Sequence, residues 1–394
     1  MISVDEIDGL CHGLVIDNGS LALKAGFAGD DAPRSIFRSV VGRPIDDGII
    51  FLSLFYLFYL FILGPKQGGN APGSYVGSEA QARRDILALK YPIVRGKVTE
   101  WDDMERIWDY TFRTALNTSP EEQPVLLSEQ VFSPKPNREK MTQIMFESFN
   151  TPAFYVSLDN ILAMYASGRN TGMVVSCGEG CLTTTAMWEG CLFETSVHRV
   201  DIGGSDITDY FTAELNKRYA LSPADFETVR DIKERLGYVA LDYDAELKNP
   251  AELPYELPDG STVTVGNECF QGPEALFQPT LVGLESETQG IHQLTRSSIL
   301  RCPLDSRKDL FDNIVLCGGS TMFPGMQERL SEELKRLVPS SMDVKVVAPP
   351  ERVNSTWIGG SILASLASFD KKWITRDEYA EVGPSIVHRK CLYV

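Results

Sequence analysis

The sequence lacks several things whose absence narrows what it can be. Its eight cysteines contain no Cys-x-x-Cys pair, and of the four histidines (His12, His198, His292, His388) only His12, beside Cys11, and His388, three residues before Cys391, stand near a cysteine, each with a single one. That pattern argues against a zinc site, and for Cys177 and Cys181, four apart, reduced buried thiols are the expectation. Positive charge is scarce: 37 Lys and Arg against 54 Asp and Glu give a net charge of −17. A duplex surface would repel such a chain, so nucleic acid is excluded as a first reading, whereas solubility and basic protein partners fit. The N-terminal "MISVDEIDGL" is acidic and has no long apolar stretch, so no signal peptide is expected and a reducing cytoplasm is the default. The longest apolar run, "IIFLSLFYLFYLFIL" from Ile49 to Leu63, lacks basic flanks and falls short of the roughly 18–20 residues that a spanning helix needs.

That run is odd in its own right. "LFYLFYLF" is low in complexity, and "GPKQGGNAPGS" after it reads as a flexible return to the fold. Three readings stand side by side: an exposed loop that makes contacts, a membrane-surface insertion, or translated non-coding DNA, since pyrimidine-rich DNA encodes Phe, Leu and Ser.

A length of 394 residues, 43% hydrophobic and 23% charged, predicts a globular protein of two lobes or more. Three strand-like runs each lead into a glycine turn: "GLVIDNGS" (13–20), "GMVVSCGEG" (172–180) and "NIVLCGGST" (313–321). The first two lie about 160 residues apart and read as echoes of one unit. A strand that ends in such a turn exposes successive N–H groups, a nest for an anion. A duplicated fold with one turn per half would place a ligand between the halves. Between the turns lie helical patterns. "REKMTQIMFESF" (138–149) puts Met141, Ile144, Met145 and Phe149 on one face. "VRDIKERLGYVALDYD" (229–244) spaces Val229, Ile232, Leu236 and Val239 as a helix would, and "MQERLSEELKRLV" (326–338) turns Leu330, Leu334 and Leu337 inward. The alternation predicts an α/β fold.

In the first turn, Asp17 can hold a divalent cation directly or through water, Gly19 admits phosphate close to the backbone, Ser20 can donate to it, and Lys24 can neutralise it. The same Asp17-Asn18-Gly19 suits a plain hairpin turn. In the second turn Glu179 sits between Gly178 and Gly180; the alternative is a solvent-exposed turn. Gly318, Gly319 and Ser320 suit the phosphate or sugar of a nucleotide. Lys233 and Glu234 can reach a ribose or base, or simply form a solvated helix face.

Longer matches join these pieces. "DNGSLALKAGFAGDDAPR" (17–34), "REKMTQIMFESFN" (138–150), "VRDIKERLGYVALD" (229–242), "LFQPTLVGLES" (276–286), "APPERVNSTWIGGSILASL" (348–366) and "GPSIVHRKC" (383–391) closely resemble actin, and the likeness covers nearly the whole chain outside 49–73. The chain looks like a divergent actin or a close actin-related protein. The resemblance implies a two-lobed actin-like ATPase fold of duplicated βαβ domains and four subdomains. These are 1–38, 93–166 and 355–394 for the first; 39–92, with the atypical insertion 49–73, for the second; 167–202 and 289–354 for the third; and 203–288 for the fourth. It implies ATP or ADP with Mg²⁺ in the central cleft. Asp17, Asn18, Gly19, Ser20 and Lys24 form the first phosphate turn, and Gly178, Glu179 and Gly180 the second. Gly204, Arg230, Lys233 and Glu234 sit near the sugar; Gly318, Gly319, Ser320 and Met322 close over the nucleotide.

The departures from the family are informative. Leu21 stands where actin has a glycine, Ser176 where it has the strand-end aspartate, Cys177 for a serine, and Glu179 for an aspartate. Thr183 replaces a histidine that helps to position water, and Asp159 the glutamine that orients the attacking water. Val353 replaces a lysine near adenine and Ser205 an arginine beside Gly204. Hydrolysis needs an in-line water and a placed metal, so weakened ATP hydrolysis is expected. Asp159 is the one rescue: a carboxylate returned toward the metal through water, or a base for the attacking water.

The family likeness also implies assembly. The loop at 45–73, which grips the next subunit in a filament, is lengthened by the apolar run, and the loop 281–293 opposite the other strand is longer too. Tyr165, Ala166, Gly168, Ile358, Ile362, Leu363 and Leu366 resemble the cleft where actin-binding proteins dock, and Asp5, Glu6 and Asp8 the acidic start that meets basic motor surfaces. The expectation is a cytoplasmic, cytoskeletal protein whose partner is itself, in a filament, or actin. The alternatives are a non-polymerising scaffold with nucleotide as structural ligand and, on the broad fold alone, a small-molecule kinase, for which the chain lacks an extra substrate lobe.

Overall fold

The computed structural model describes residues 13–45, 73–84, 86–219, 225–248, 252–257 and 260–392. The apolar run Ile49–Leu63, His12 and the acidic Asp5, Glu6 and Asp8 lie outside the described residues.

Two sheets with the same internal order dominate the chain. In the first, Leu14–Asn18 pairs antiparallel with Ala22–Phe27, which pairs in turn with Ser35–Arg38. On its other side Leu14–Asn18 runs parallel to Val125–Glu129, which runs parallel to Ala153–Leu158. In the second, Gly172–Cys177 pairs antiparallel with Leu182–Trp188 and parallel with Ile314–Cys317, which is parallel to Val346–Val347. The hairpin, its parallel neighbour and the strand beyond recur in one order, which bears out the duplicated α/β unit. Strands such as Leu14–Asn18 and Ile314–Cys317 are near-continuous apolar runs because helices cover both faces of a parallel sheet.

Each sheet has its own core. The first gathers Ile16, Leu126, Phe154, Trp108 and Trp357; the second gathers Val175, Phe211, Leu276, Leu316 and Leu330. Each such side chain, fully buried, contributes about 1.5–3 kcal/mol. Helices Asp159–Ala166 and Ser355–Ala364 pack between the two sheets. Their approach is so close that a Cβ on Gly359 would lie 1.7 Å from the Leu162 carbonyl oxygen, so glycine is required there. Trp357 ties the same helix to the first sheet, its Nε1 donating to Val15 O at 3.0 Å. Three smaller sheets sit outside these layers among the described residues: Val41–Pro44 with Tyr75–Val76 and Leu87–Lys90, the hairpin Leu253–Glu256/Thr262–Val265, and the short hairpin Ile93–Val94/Lys97–Val98.

The helix expectations hold in part. Met141, Ile144, Met145 and Phe149 are buried together, but the α-helix Lys135–Gln143 widens into a looser turn over Ile144–Ser148. Leu330 and Leu334 point inward from Met326–Leu337, while Leu337 is only half-buried. The pattern from 229 to 244 is not one helix. Phe226–Leu236 ends at Gly237, which is extended, and Val239, beyond that break, is buried in the second core with its N–H paired to Pro324 O at 2.8 Å. The spacing from Leu236 to Val239 mimics a helical step that the backbone does not take.

Candidate functional site

A cavity of about 500 Å³ opens where the ends of the two hairpins meet. The first hairpin contributes Asp17, Asn18, Gly19, Ser20, Leu21 and Lys24 to its wall. The turn is a hairpin, with Asn18 opposite Leu23, so the plain-hairpin and ligand-turn readings describe the same object. Its side chains are bound into a network. Asp17, 7% exposed, accepts Lys24 Nζ at 2.7 Å on Oδ2 and Ser128 Oγ at 2.7 Å on Oδ1. Asn18 accepts from Trp108 Nε1 at 3.1 Å and donates to Ser128 O at 3.2 Å, so its amide braces the turn. The Ser20 hydroxyl accepts from Gly96 N at 2.9 Å, and Lys24 is held by Asp17 rather than extended freely into the cavity.

The second hairpin contributes Ser176, Gly178, Glu179, Gly180 and Cys181. This turn is organised through its backbone. Gly178 O accepts from Gly204 N at 3.0 Å and from Ser320 Oγ at 2.8 Å; Glu179 O accepts from Ser205 N and Oγ, each at 2.9 Å. Gly180 O accepts from Arg95 Nη1 at 2.9 Å, and Arg95 pairs with Asp206 at 2.5 Å. Gly318, Gly319, Ser320 and Met322 close the third side. Gly318 has φ +92°, and a Cβ there would lie 2.3 Å from Cys177 O, so the third turn abuts the second only because no side chain intervenes.

Lys233 and Glu234 line the cavity, but the solvated-face alternative fails for the lysine. Lys233 is 4% exposed and donates to Gly204 O at 3.0 Å and Thr208 Oγ1 at 2.9 Å; burial lowers its pKa. Two sequence-predicted residues do not line the wall. Gly204 lies under it, with Glu179 Oε2, Ser320 Oγ and Lys233 Nζ crowding its would-be Cβ. Arg230 lies behind Glu179, bonded to its Oε1 at 3.0 Å and paired with Glu227.

Asp159 begins the helix Asp159–Ala166 and faces the cavity floor, 6% exposed. Its Oδ1 accepts from Asn160 N at 2.8 Å and its Oδ2 from Gln130 Nε2 at 2.5 Å. Burial, reinforced by the nearby Asp17 charge, raises its pKa to about 7. Thr183 does not line the wall. It is buried, and its hydroxyl meets the Asn160 amide at 3.2 Å, so it faces the helix and not the cavity. Cys181 is free and burial pushes its thiol up to about 12, which keeps it protonated.

Sequence reasoning missed Ser128, Gln130, Gly96, Arg38 and Asn354, all on the wall. None belongs to the three glycine turns that the sequence singled out; Gly96 sits with φ +73° in the tight turn between Ile93–Val94 and Lys97–Val98. They arrive from strand ends and loops whose place follows from the sheet order alone. The docking-cleft residues lie outside the cavity: Ile362 and Leu366 are exposed, Gly168 too, while Tyr165, Ala166, Ile358 and Leu363 are half-buried against the cores. Leu281, Val282 and Leu284 of the lengthened loop pack partly onto the second core. Among the described residues, no helix is long and apolar enough to cross a membrane.

Duplicated sheets, a hairpin turn from each, and a cavity between them match the architecture that the quoted motifs implied. The Actin family model matches residues 10–392. On that match, which covers nearly the whole chain, this protein belongs to the actin family.

Proposed function

We propose that the chain binds ATP or ADP with Mg²⁺ in the cavity between its sheets, acts in the cytoplasmic cytoskeleton as a filament subunit or an actin partner, and hydrolyses ATP slowly. The observation that carries this is the convergence of three glycine turns on one cavity with Lys24 and Lys233 at its edge. Its size falls within the roughly 300–1,000 Å³ of ligand pockets. Nothing lies within 4 Å of a would-be Gly178 Cβ, so the second turn leaves backbone open to a phosphate.

The residues also fit a hard divalent cation. Asp17 would hold it directly and Asp159 through water, the rest of its shell being water and phosphate oxygens, in keeping with the absence of any cluster of three ligating side chains among the described residues. When bound, the ion would offset phosphate charge. The chain's own part is to hold the triphosphate through turn N–H groups and to offer Lys24 to phosphate once Asp17 has another partner. Gly204, Arg230, Lys233 and Glu234 would order the sugar side.

The slow turnover follows from what faces the phosphates. Ser176 presents a hydroxyl where a carboxylate would hold water, Thr183 is turned away, and Leu21 adds apolar bulk. Losing one preorganised group of this kind costs on the order of 10²–10³ in rate. Asp159 is the remaining base: its carboxyl titrates near neutrality beside the cavity. Titration with a fluorescent ATP analogue and Mg²⁺, followed by single-turnover phosphate release, tests the reading. No saturable binding, or a rate equal to ordinary actin's, would sink it.

One observation favours a second reading. The sequence carries an apolar run within 45–73, the stretch that by resemblance to actin corresponds to the loop that grips a neighbouring subunit. A non-polymerising scaffold with nucleotide as a structural ligand would stay in the supernatant on high-speed sedimentation in Mg²⁺ and salt; a filament subunit would pellet. Docking of amphipathic helices at Tyr165, Gly168, Ile358, Ile362 and Leu366 belongs to either reading.

A further inference from the structure

We propose that Gln130 is a positioning residue of this cavity, which fixes the carboxyl of Asp159 and, with its spare amide capacity, holds the water that faces the terminal phosphate. The inference rests on the nucleotide reading above and goes beyond it in naming a residue that no glycine motif includes.

The geometry is specific. Gln130 follows the strand Val125–Glu129 directly, and Ser128 two residues earlier bonds Asp17 and Asn18. One short segment therefore touches both acidic groups of the floor: Asp17 through Ser128 Oγ at 2.7 Å, and Asp159 through Gln130 Nε2 at 2.5 Å. The Gln130 side chain is half-buried and lines the cavity. An amide carries two N–H donors and a two-lone-pair acceptor. One N–H is used on Asp159 Oδ2, and among the described residues the carbonyl receives only the Cys181 thiol, a weak donor, at 3.4 Å. The other N–H and most of the carbonyl's capacity remain for a water. Asp159 cannot orient itself alone. Its Oδ1 is tied to Asn160 N, and without Gln130 its Oδ2 would be free to turn toward Asp17 or the solvent in the cavity.

The test uses the full chain. Mg²⁺ and a fluorescent ATP analogue are titrated into wild type, Q130A and Q130M, the last of similar length but with no hydrogen-bonding group. Single-turnover phosphate release and the affinity for ADP with beryllium fluoride, a mimic of the terminal phosphate, are then measured. Expected are ATP-analogue affinities within about threefold for all three. Q130A and Q130M are both expected to release phosphate at least tenfold more slowly and to hold ADP–beryllium fluoride more weakly relative to ADP. A Q130M protein with wild-type release, or a loss of release in either variant matched by an equal loss of ATP affinity, would overturn the assignment while leaving the nucleotide reading in place. Failure of the wild type to bind the ATP analogue would overturn both readings.

Discussion

The two hairpin turns that face one another across the cavity are built on different principles. The turn after Leu14–Asn18 is held by side chains: Asp17, Asn18, Ser20 and Lys24 each bond to a neighbour that is itself on or beside the wall. The turn after Gly172–Cys177 is held by main-chain carbonyls capped from Gly204, Ser205, Ser320 and Arg95, with one ion pair, Glu179–Arg230, behind it. The difference separates two tasks. The first turn keeps polar groups that a ligand can recruit; the second has spent its polar groups on holding its own shape.

If that contrast is right, the largest effect comes from the second turn and falls on stability. Arg230→Met removes a buried guanidinium and leaves half-buried Glu179 and its neighbour Glu227 without their shared charge partner, which should cost about 3–5 kcal/mol, read as a lowered midpoint in urea. An unchanged midpoint with weaker nucleotide binding would break the comparison. Next, Lys24→Met should act on the ligand. It removes a charge-assisted bond of about 1.5–3 kcal/mol, roughly a ten- to hundredfold rise in the Kd for ATP, measured by titration with the fluorescent analogue.

A smaller effect tests the floor between the turns. The Asp159 pKa of about 7 exceeds that of an unfolded aspartate, near 3.9, so the native state holds a proton that the unfolded chain has released between those values. Stability from this group is therefore present at acid pH and is lost as pH rises through about 7. Asp159→Asn should raise the Tm of the nucleotide-free protein more at pH 8 than at pH 5; an equal shift at both would refute the assignment. Smallest is Leu21→Gly, which reduces apolar bulk on the wall and should change ATP affinity by only a few-fold, without the stability change expected of Arg230→Met.

Much of this was legible in the chain because turns write themselves locally. Glycine after an apolar strand signals the same geometry wherever it occurs, and two such signals far apart announced the duplicated fold. Asp159 was legible as a departure from a family pattern. Gln130 and Ser128 were not, because their role depends on which strands lie side by side, and nothing in "LLSEQVF" states that Val125–Glu129 will lie against Leu14–Asn18. The helix misread across Leu236 and Val239 has the opposite cause: apolar spacing reports burial, and burial can be reached by an extended backbone as well as a coiled one.

The indole of Trp108 is wholly shielded from solvent and its nitrogen bonds to Asn18 inside the first turn. Any molecule that reshapes that turn alters the surroundings of a chromophore, so the protein carries its own optical gauge of occupancy. Emission recorded from Trp108, with the other tryptophans replaced, would follow filling of the cleft in real time with no label attached.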